Sequence, residues 1–124
     1  MLGSAKIIGF VPVTDFAKAR AFYEGTLGLR FVKEDGFALV LDANGITLRV
    51  VKLQNFEPVH YTVLGWEVKG IESVVQQLQQ KEVKFERYHF MKQDDLGIWT
   101  TPNGDKVAWF KDPDGNTLSV SEHV

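Results

Sequence analysis

The chain contains no cysteine, which excludes disulfides, thiolate nucleophiles and thiolate metal sites. It has no long apolar run either. Ile7–Val13 and Phe37–Leu41 are the longest, far short of the roughly 20 residues a membrane helix needs. There is no excess of positive charge. With 14 basic and 16 acidic side chains, interspersed and summing to −2, the chain lacks the basic face that tracks nucleic-acid phosphates. The opening Met-Leu-Gly-Ser-Ala-Lys lacks a basic segment followed by an apolar one, so no secretory signal is expected and a cytoplasmic location is the default. What remains is an ordinary globular balance, 44% hydrophobic and 24% charged over 124 residues, a length that suits one domain.

The order of elements repeats. Residues 6–13 read as a buried strand. Asp15 stands where a helix N-cap belongs, and Phe16, Ala19, Phe22, Tyr23 and Leu27 follow at helical spacing. Gly25 and Gly28 mark its end. Leu29–Lys33 reads as a strand, and Phe37–Asp42 and Ile46–Leu53 flank the hairpin signal Asn44-Gly45. After a linker at Asn55–His60, the second half places a strand at Tyr61–Val68 and a helix after Gly70, with Ile71, Val74, Val75 and Leu78 on one side and glutamines on the other. Strands are predicted at Val83–Tyr88, Gly97–Thr100, Lys106–Lys111 and Thr117–Glu122, the last following Asp112-Pro113-Asp114-Gly115. The expectation is a single domain over 1–124, with halves of about 5–54 and 60–124.

Two stretches go further: Val13-Thr14-Asp15, Ala19-Arg20-Ala21-Phe22-Tyr23 and Leu27-Gly28-Leu29 upstream, and Val107-Ala108-Trp109-Phe110-Lys111-Asp112-Pro113-Asp114-Gly115-Asn116 downstream. At this separation they resemble the glyoxalase/bleomycin resistance/dioxygenase (vicinal oxygen chelate) family over nearly the whole chain. The resemblance implies an α+β fold, two βαβββ modules forming a curved mixed sheet around a cleft, as in dihydroxybiphenyl dioxygenase, and a homodimer. It also implies four inward positions that in many members hold a divalent metal. Here these fall on Ile8, Arg49, Val63 and Ser119. Two carry no lone pair, one is a cation and one is a poor substitute for a carboxylate, so no metal and no other cofactor is expected.

Strand alternation separates Thr47, Arg49 and Val51 from Ile46, Leu48 and Val50. The second set reads as core, which turns Arg49 toward the cleft. A guanidinium there either binds a carboxylate or phosphate or pairs with an acidic neighbour such as Glu67. Phe10, Trp99, Tyr88 and Phe90 either line an aromatic wall or belong to the core, and Trp109 reads as a packing position. Arg49, Phe10, Trp99, Tyr88, Ser119 and Glu67 are therefore the candidate ligand-binding residues, with no catalytic residue assigned. His60, His89 and His123 read as solvated or surface-hydrogen-bonded. The alternative is a rearranged site of His60 with Glu67 or Glu122, and no Ser, Cys or Asp at a fixed spacing suggests a triad. The loop 91–97 is either a lid or a solvated connection. The leading expectation is a metal-independent protein that binds a small organic molecule. The alternatives are a metal-dependent lyase, isomerase or dioxygenase of the family, and a domain whose role is self-association.

Overall fold

In the computed structural model, which describes all 124 residues, β1 (Ile8–Val13) leads into a helix that begins where its cap begins. The Asp15 carboxylate accepts the Lys18 N–H at 3.0 Å, satisfying one of the donors a helix start leaves open. The helix runs as α1 (Phe16–Arg20) and continues in a wider π turn over Ala21–Thr26. Gly28 then takes φ +80°, a conformation that favours glycine, and ends it. β2 (Arg30–Glu34), β3 (Ala38–Ala43) and β4 (Ile46–Lys52) follow. Asn44 and Gly45 both adopt positive φ between β3 and β4, as a two-residue primed turn requires. These elements make up the first of two units, Met1–Glu57; the second is Pro58–Val124.

The second unit contains β5 (Leu64–Glu67), α2 (Ile71–Gln80), β6 (Trp99–Thr100), β7 (Lys106–Lys111) and β8 (Thr117–Glu122). Both units are βαβββ. The strand orders are β1-β4-β3-β2 and β5-β8-β7-β6, with the outer pairs β1/β4 and β5/β8 parallel and the remainder antiparallel. The repeat expected from the pattern of elements is thus a repeat of topology. No helix is long and apolar enough to cross a membrane.

Each sheet buries one face. In the first unit the core holds Val11, Val13, Leu39, Leu41, Leu48 and Val50, with Tyr23 from the helix side. In the second it holds Ala108, Phe110, Leu118 and Val120, with Ile71 and Val75 from α2. The N-terminus of α2 has no cap of its own at Gly70. Instead the Glu122 carboxylate reaches across, taking the Gly70 N–H on one oxygen and the Ile71 N–H on the other, each at 3.0 Å.

Four sequence expectations need correction. Residues 6–13 are not a fully buried strand: pairing starts at Ile8, and Ile8 and Phe10 are exposed because only the opposite face of the strand is packed. Tyr61–Val68 contracts to Leu64–Glu67, Gly97–Thr100 to Trp99–Thr100, and the first unit's strands shift by a residue at their ends, following the residues that find a ladder partner. Val83–Tyr88 is not a strand. Only Phe85 bridges, to Phe110, while the Tyr88 N–H is taken by the Gln93 side chain at 2.8 Å. The loop 91–97 is fastened down rather than a free lid. Gln93 also donates to the carbonyls of Glu86 and Gly97, Asp94 accepts from the Leu96 and Ile98 N–H groups, and Arg87 donates to the carbonyls of Asp94 and Asp95.

Candidate functional site

The register of the second sheet separates its side chains into a packed face and an open one. Glu67 lies beside Ser121, Ser121 beside Val107 and Val107 beside Trp99. One step along, Gly65 lies beside Ser119 and Ser119 beside Trp109. Paired residues share a face and alternate along each strand. The row Glu67–Ser121–Val107–Trp99 and the row Gly65–Ser119–Trp109 therefore project from the side opposite Phe110.

Aromatic rings collect there. Trp99 and Trp109 stack with centroids 6.1 Å apart and planes 30° from parallel. Tyr88 meets Trp109 edge-on at 5.7 Å, and Phe90 lies 5.6 Å from Tyr88. Trp99, Trp109 and Tyr88 are each half-buried, with ring surface left open to solvent. Trp109 was expected to pack in the core. The core positions of its strand are instead Ala108 and Phe110, both fully buried, and alternation turns Trp109 outward. A pocket of about 290 Å³ opens beside Trp99, lined by Lys92, Gln93, Asp94, Ile98 and Thr100. Burial, with a contribution from Glu86, raises the Tyr88 phenol above its usual value, so it stays a neutral hydrogen-bond donor at physiological pH.

Ser119 and Glu67 share this face in different ways. Ser119 is buried, and its hydroxyl accepts the Thr62 hydroxyl at 3.1 Å. A Cβ on Gly65 would come within 3.1 Å of the same oxygen, so the serine fills the space a side chain at 65 would need. Glu67 is exposed at the end of β5.

Arg49 and Phe10 sit in the first unit, opposite each other across β4 and β1. Phe10 is 60% exposed. Arg49 forms an ion pair, as one of its two readings required, but with Asp35 and not Glu67: Nη2 to Oδ2 is 2.8 Å. Asp35 also accepts the Phe37 and Ala38 N–H groups on its other oxygen. The guanidinium, helped by these two donors, holds its carboxyl down from the ordinary 3.8 to about 2. The folded state therefore gains from this carboxylate above its ordinary pKa, and the gain is lost as pH falls through about 2. Arg49→Ala should carry the Asp35 titration back toward 3.8, read by carbon NMR of its side chain. A titration that stays put would assign the shift to the two backbone donors alone.

The four positions at which the family resemblance implies a metal do not suit one. Ile8 and Val63 offer no donor atom, Arg49 is a cation already paired, and the Ser119 hydroxyl is already hydrogen-bonded to Thr62. Nowhere do three or more His, Asp or Glu side chains gather as ligands. A rearranged site through Glu122 does not fit either, since both of its oxygens cap α2.

One constellation was missed in the sequence. The Ser121 hydroxyl lies 2.9 Å from His123 Nε2, and His123 Nδ1 lies 3.0 Å from Asp105 Oδ2. The Val124 N–H donates to the other Asp105 oxygen at 3.0 Å. That bond first, and His123 second, hold the Asp105 carboxyl below its usual range. His123 is thus the surface-hydrogen-bonded histidine that one of its readings allowed. Ser121 and His123 are two apart on an extended chain, and the β7/β8 register pairs Lys106 with Glu122. One further step outward sets Asp105 against His123. The paired strands could have revealed it; linear spacing could not.

Comparison with known proteins places the fold. Residues 6–120 match the family model described as Glyoxalase/Bleomycin resistance protein/Dioxygenase superfamily. No curated protein sequence matches the chain. Among solved structures, a superfamily member from Sphaerobacter thermophilus is 21% identical with a TM-score of 0.76, over 99% of this chain and 100% of its own. A lactoylglutathione lyase from Agrobacterium tumefaciens is 21% identical with a TM-score of 0.73, over 96% and 93%. TnmS3, an antibiotic binding protein from Streptomyces sp. CB03234, is 24% identical with a TM-score of 0.75, over 100% and 99%. At these identities the likeness is one of fold.

Proposed function

We propose a function from one premise: this chain belongs to the Glyoxalase/Bleomycin resistance protein/Dioxygenase superfamily. It binds a small planar aromatic molecule, without the family's metal, against the ring surface of Trp99, Trp109 and Tyr88. The observation that carries this reading is the Trp99–Trp109 stack, 6.1 Å between centroids and half-buried on the open side of a sheet. Half-buried, pre-ordered tryptophans keep part of a flat apolar surface open, with little side-chain entropy left to lose on binding. An antibiotic binding protein of the same fold is in keeping with sequestration of an organic compound. The metal-dependent lyase reading has the weaker support, because the four implied positions lack a donor set, although a relative from Agrobacterium tumefaciens is named a lactoylglutathione lyase.

Within the proposal, Glu67 borders the same face and contacts polar substituents. Phe10 and Arg49 form a ligand face of the first unit. There an acidic ligand competes with Asp35 for the guanidinium, which weakens its attraction to anions. The two units act as one domain, in the cytoplasm, and pair with a second copy of the chain.

Titrating a panel of planar aromatic compounds into the protein should quench tryptophan fluorescence saturably. Trp99→Ala and Trp109→Ala should each weaken that binding by about tenfold or more, the usual loss when an aromatic anchor is truncated. Binding undiminished in both variants would contradict the proposal. About one nickel, zinc or iron per chain in protein purified without chelator would instead favour the lyase reading.

A further inference from the structure

We propose that Ser121, His123 and Asp105 form an acyl-transfer centre, and that the substrates it takes are small aryl esters. The geometry fixes the direction of the hydrogen bonds. Asp105 is held as a carboxylate by the Val124 N–H and by His123, so it can only accept. His123 Nδ1 must then carry a proton, and in the neutral ring Nε2 presents its lone pair to the Ser121 hydroxyl at 2.9 Å. This is the arrangement in which a neutral imidazole acts as general base to a serine. Asp105 is itself pinned in the β6–β7 turn, where its N–H donates to Thr101 Oγ1 at 3.0 Å and its carbonyl accepts the Thr101 N–H at 2.7 Å. The base is therefore oriented by a fixed group.

The centre is reachable. Ser121 is half-buried and His123 exposed; the pocket of about 440 Å³ that His123 borders lies on the Lys106 and Glu122 side and does not include Ser121. Ser121 also stands in the row that runs through Val107 to Trp99. Two strand spacings, roughly 10 Å, separate the hydroxyl from the tryptophan. An aryl ring lying on Trp99 can therefore present an ester carbonyl near Ser121. The choice of an aryl group rests on the binding reading above; the nucleophile does not.

In the reaction, the Ser121 O–H bond breaks, its proton passes to His123 Nε2, and the oxygen bonds to the acyl carbon. The bond from the acyl carbon to the aryl oxygen then breaks, and the proton on Nε2 leaves with the phenol. Water repeats the sequence. It gives one proton to Nε2 and bonds to the acyl carbon, the Ser121–acyl bond breaks, and the proton returns to Ser121. The sum is ester plus water to carboxylic acid plus phenol, with no redox change.

An alkyl fluorophosphonate tests the nucleophile without using the aromatic face. Incubation with the full chain, followed by peptide mass spectrometry, should find the phosphonyl group on Ser121. It should be absent in Ser121→Ala and form at least about a hundredfold more slowly in His123→Gln, the scale of a lost general base. Asp105→Asn should slow labelling and Asp105→Glu should restore part of the rate, because the carboxylate positions the imidazole. Labelling only elsewhere, or equal labelling of Ser121→Ala, overturns the centre. With 4-nitrophenyl acetate, the wild type should carry an acetyl group on Ser121, and Trp99→Ala should release nitrophenol at least tenfold more slowly. Unchanged release in Trp99→Ala overturns the aryl assignment and counts against the binding face, whereas the fluorophosphonate result judges the nucleophile alone.

Discussion

Phe110→Ala is expected to lower the stability of the fold by roughly 3–5 kcal/mol, the range for truncating a buried phenylalanine. Phe110 is fully buried near the C-terminal end of β7, with Phe85 at 5.4 Å and the Trp66 indole stacked at 6.5 Å. Its removal takes away the transfer free energy of the ring and leaves a cavity that a sheet strand, fixed by hydrogen bonds on both sides, cannot collapse to fill. The effect should reach the open face as well. Trp109 is the next residue on the strand, and Phe85 bridges to Phe110 from the segment that leads to Tyr88. Urea unfolding reads the result as a lower midpoint at little changed slope. A loss below about 1 kcal/mol would mean that the core is not packed around this ring.

Asp112→Ala carries the second large effect, a loss of about 2–4 kcal/mol, since each buried donor left unpaired costs about 1–3 kcal/mol. Asp112 is buried in the turn before β8. Its carboxylate accepts the Asp114 and Asn116 N–H groups on one oxygen and the Asn116 side-chain amide on the other. Alanine would remove all three of these bonds. Asp112→Asn keeps one acceptor oxygen and should lose distinctly less, by the same unfolding measurement. Equal losses in the two variants would show that charge matters here and hydrogen-bond geometry does not.

That turn is one of the places where local chemistry was legible in advance. Asp-Pro-Asp-Gly-Asn can do little else than turn, and it fixes the register of β7 against β8. The Asp15 cap, the Asn44-Gly45 hairpin and the amphipathic α2 were equally plain, because each rests on a few adjacent residues. Val83–Tyr88 misled for a physical reason. Its apolar and aromatic residues suit a strand, yet Gln93, a residue with no strand signal, takes the Tyr88 N–H and keeps the segment out of the ladder. Trp109 misled differently. In a run such as Val107-Ala108-Trp109-Phe110 every residue is apolar, so alternation shows two faces without saying which is buried. Tertiary packing decided for Ala108 and Phe110.

The sequence left Trp99 and Tyr88 open between an aromatic wall and the core, and the structure makes both half-buried. The partner of Arg49 was not legible, because Asp35 lies in a turn whose position depends on where β2 ends. The Ser121–His123–Asp105 chain was hidden for a related reason, as its members meet only once β8 is registered on β7 and the β6–β7 turn is closed.

The three tryptophans provide the most direct test that the open face of the second sheet is the binding surface. Trp99 and Trp109 stack on that face, while Trp66 lies beside Phe110 on the other. In two-dimensional NMR, adding a planar aromatic compound that quenches the fluorescence should shift the indole N–H signals of Trp99 and Trp109 and leave that of Trp66 in place. Shifts confined to Trp66, or to none of the three, would contradict the account.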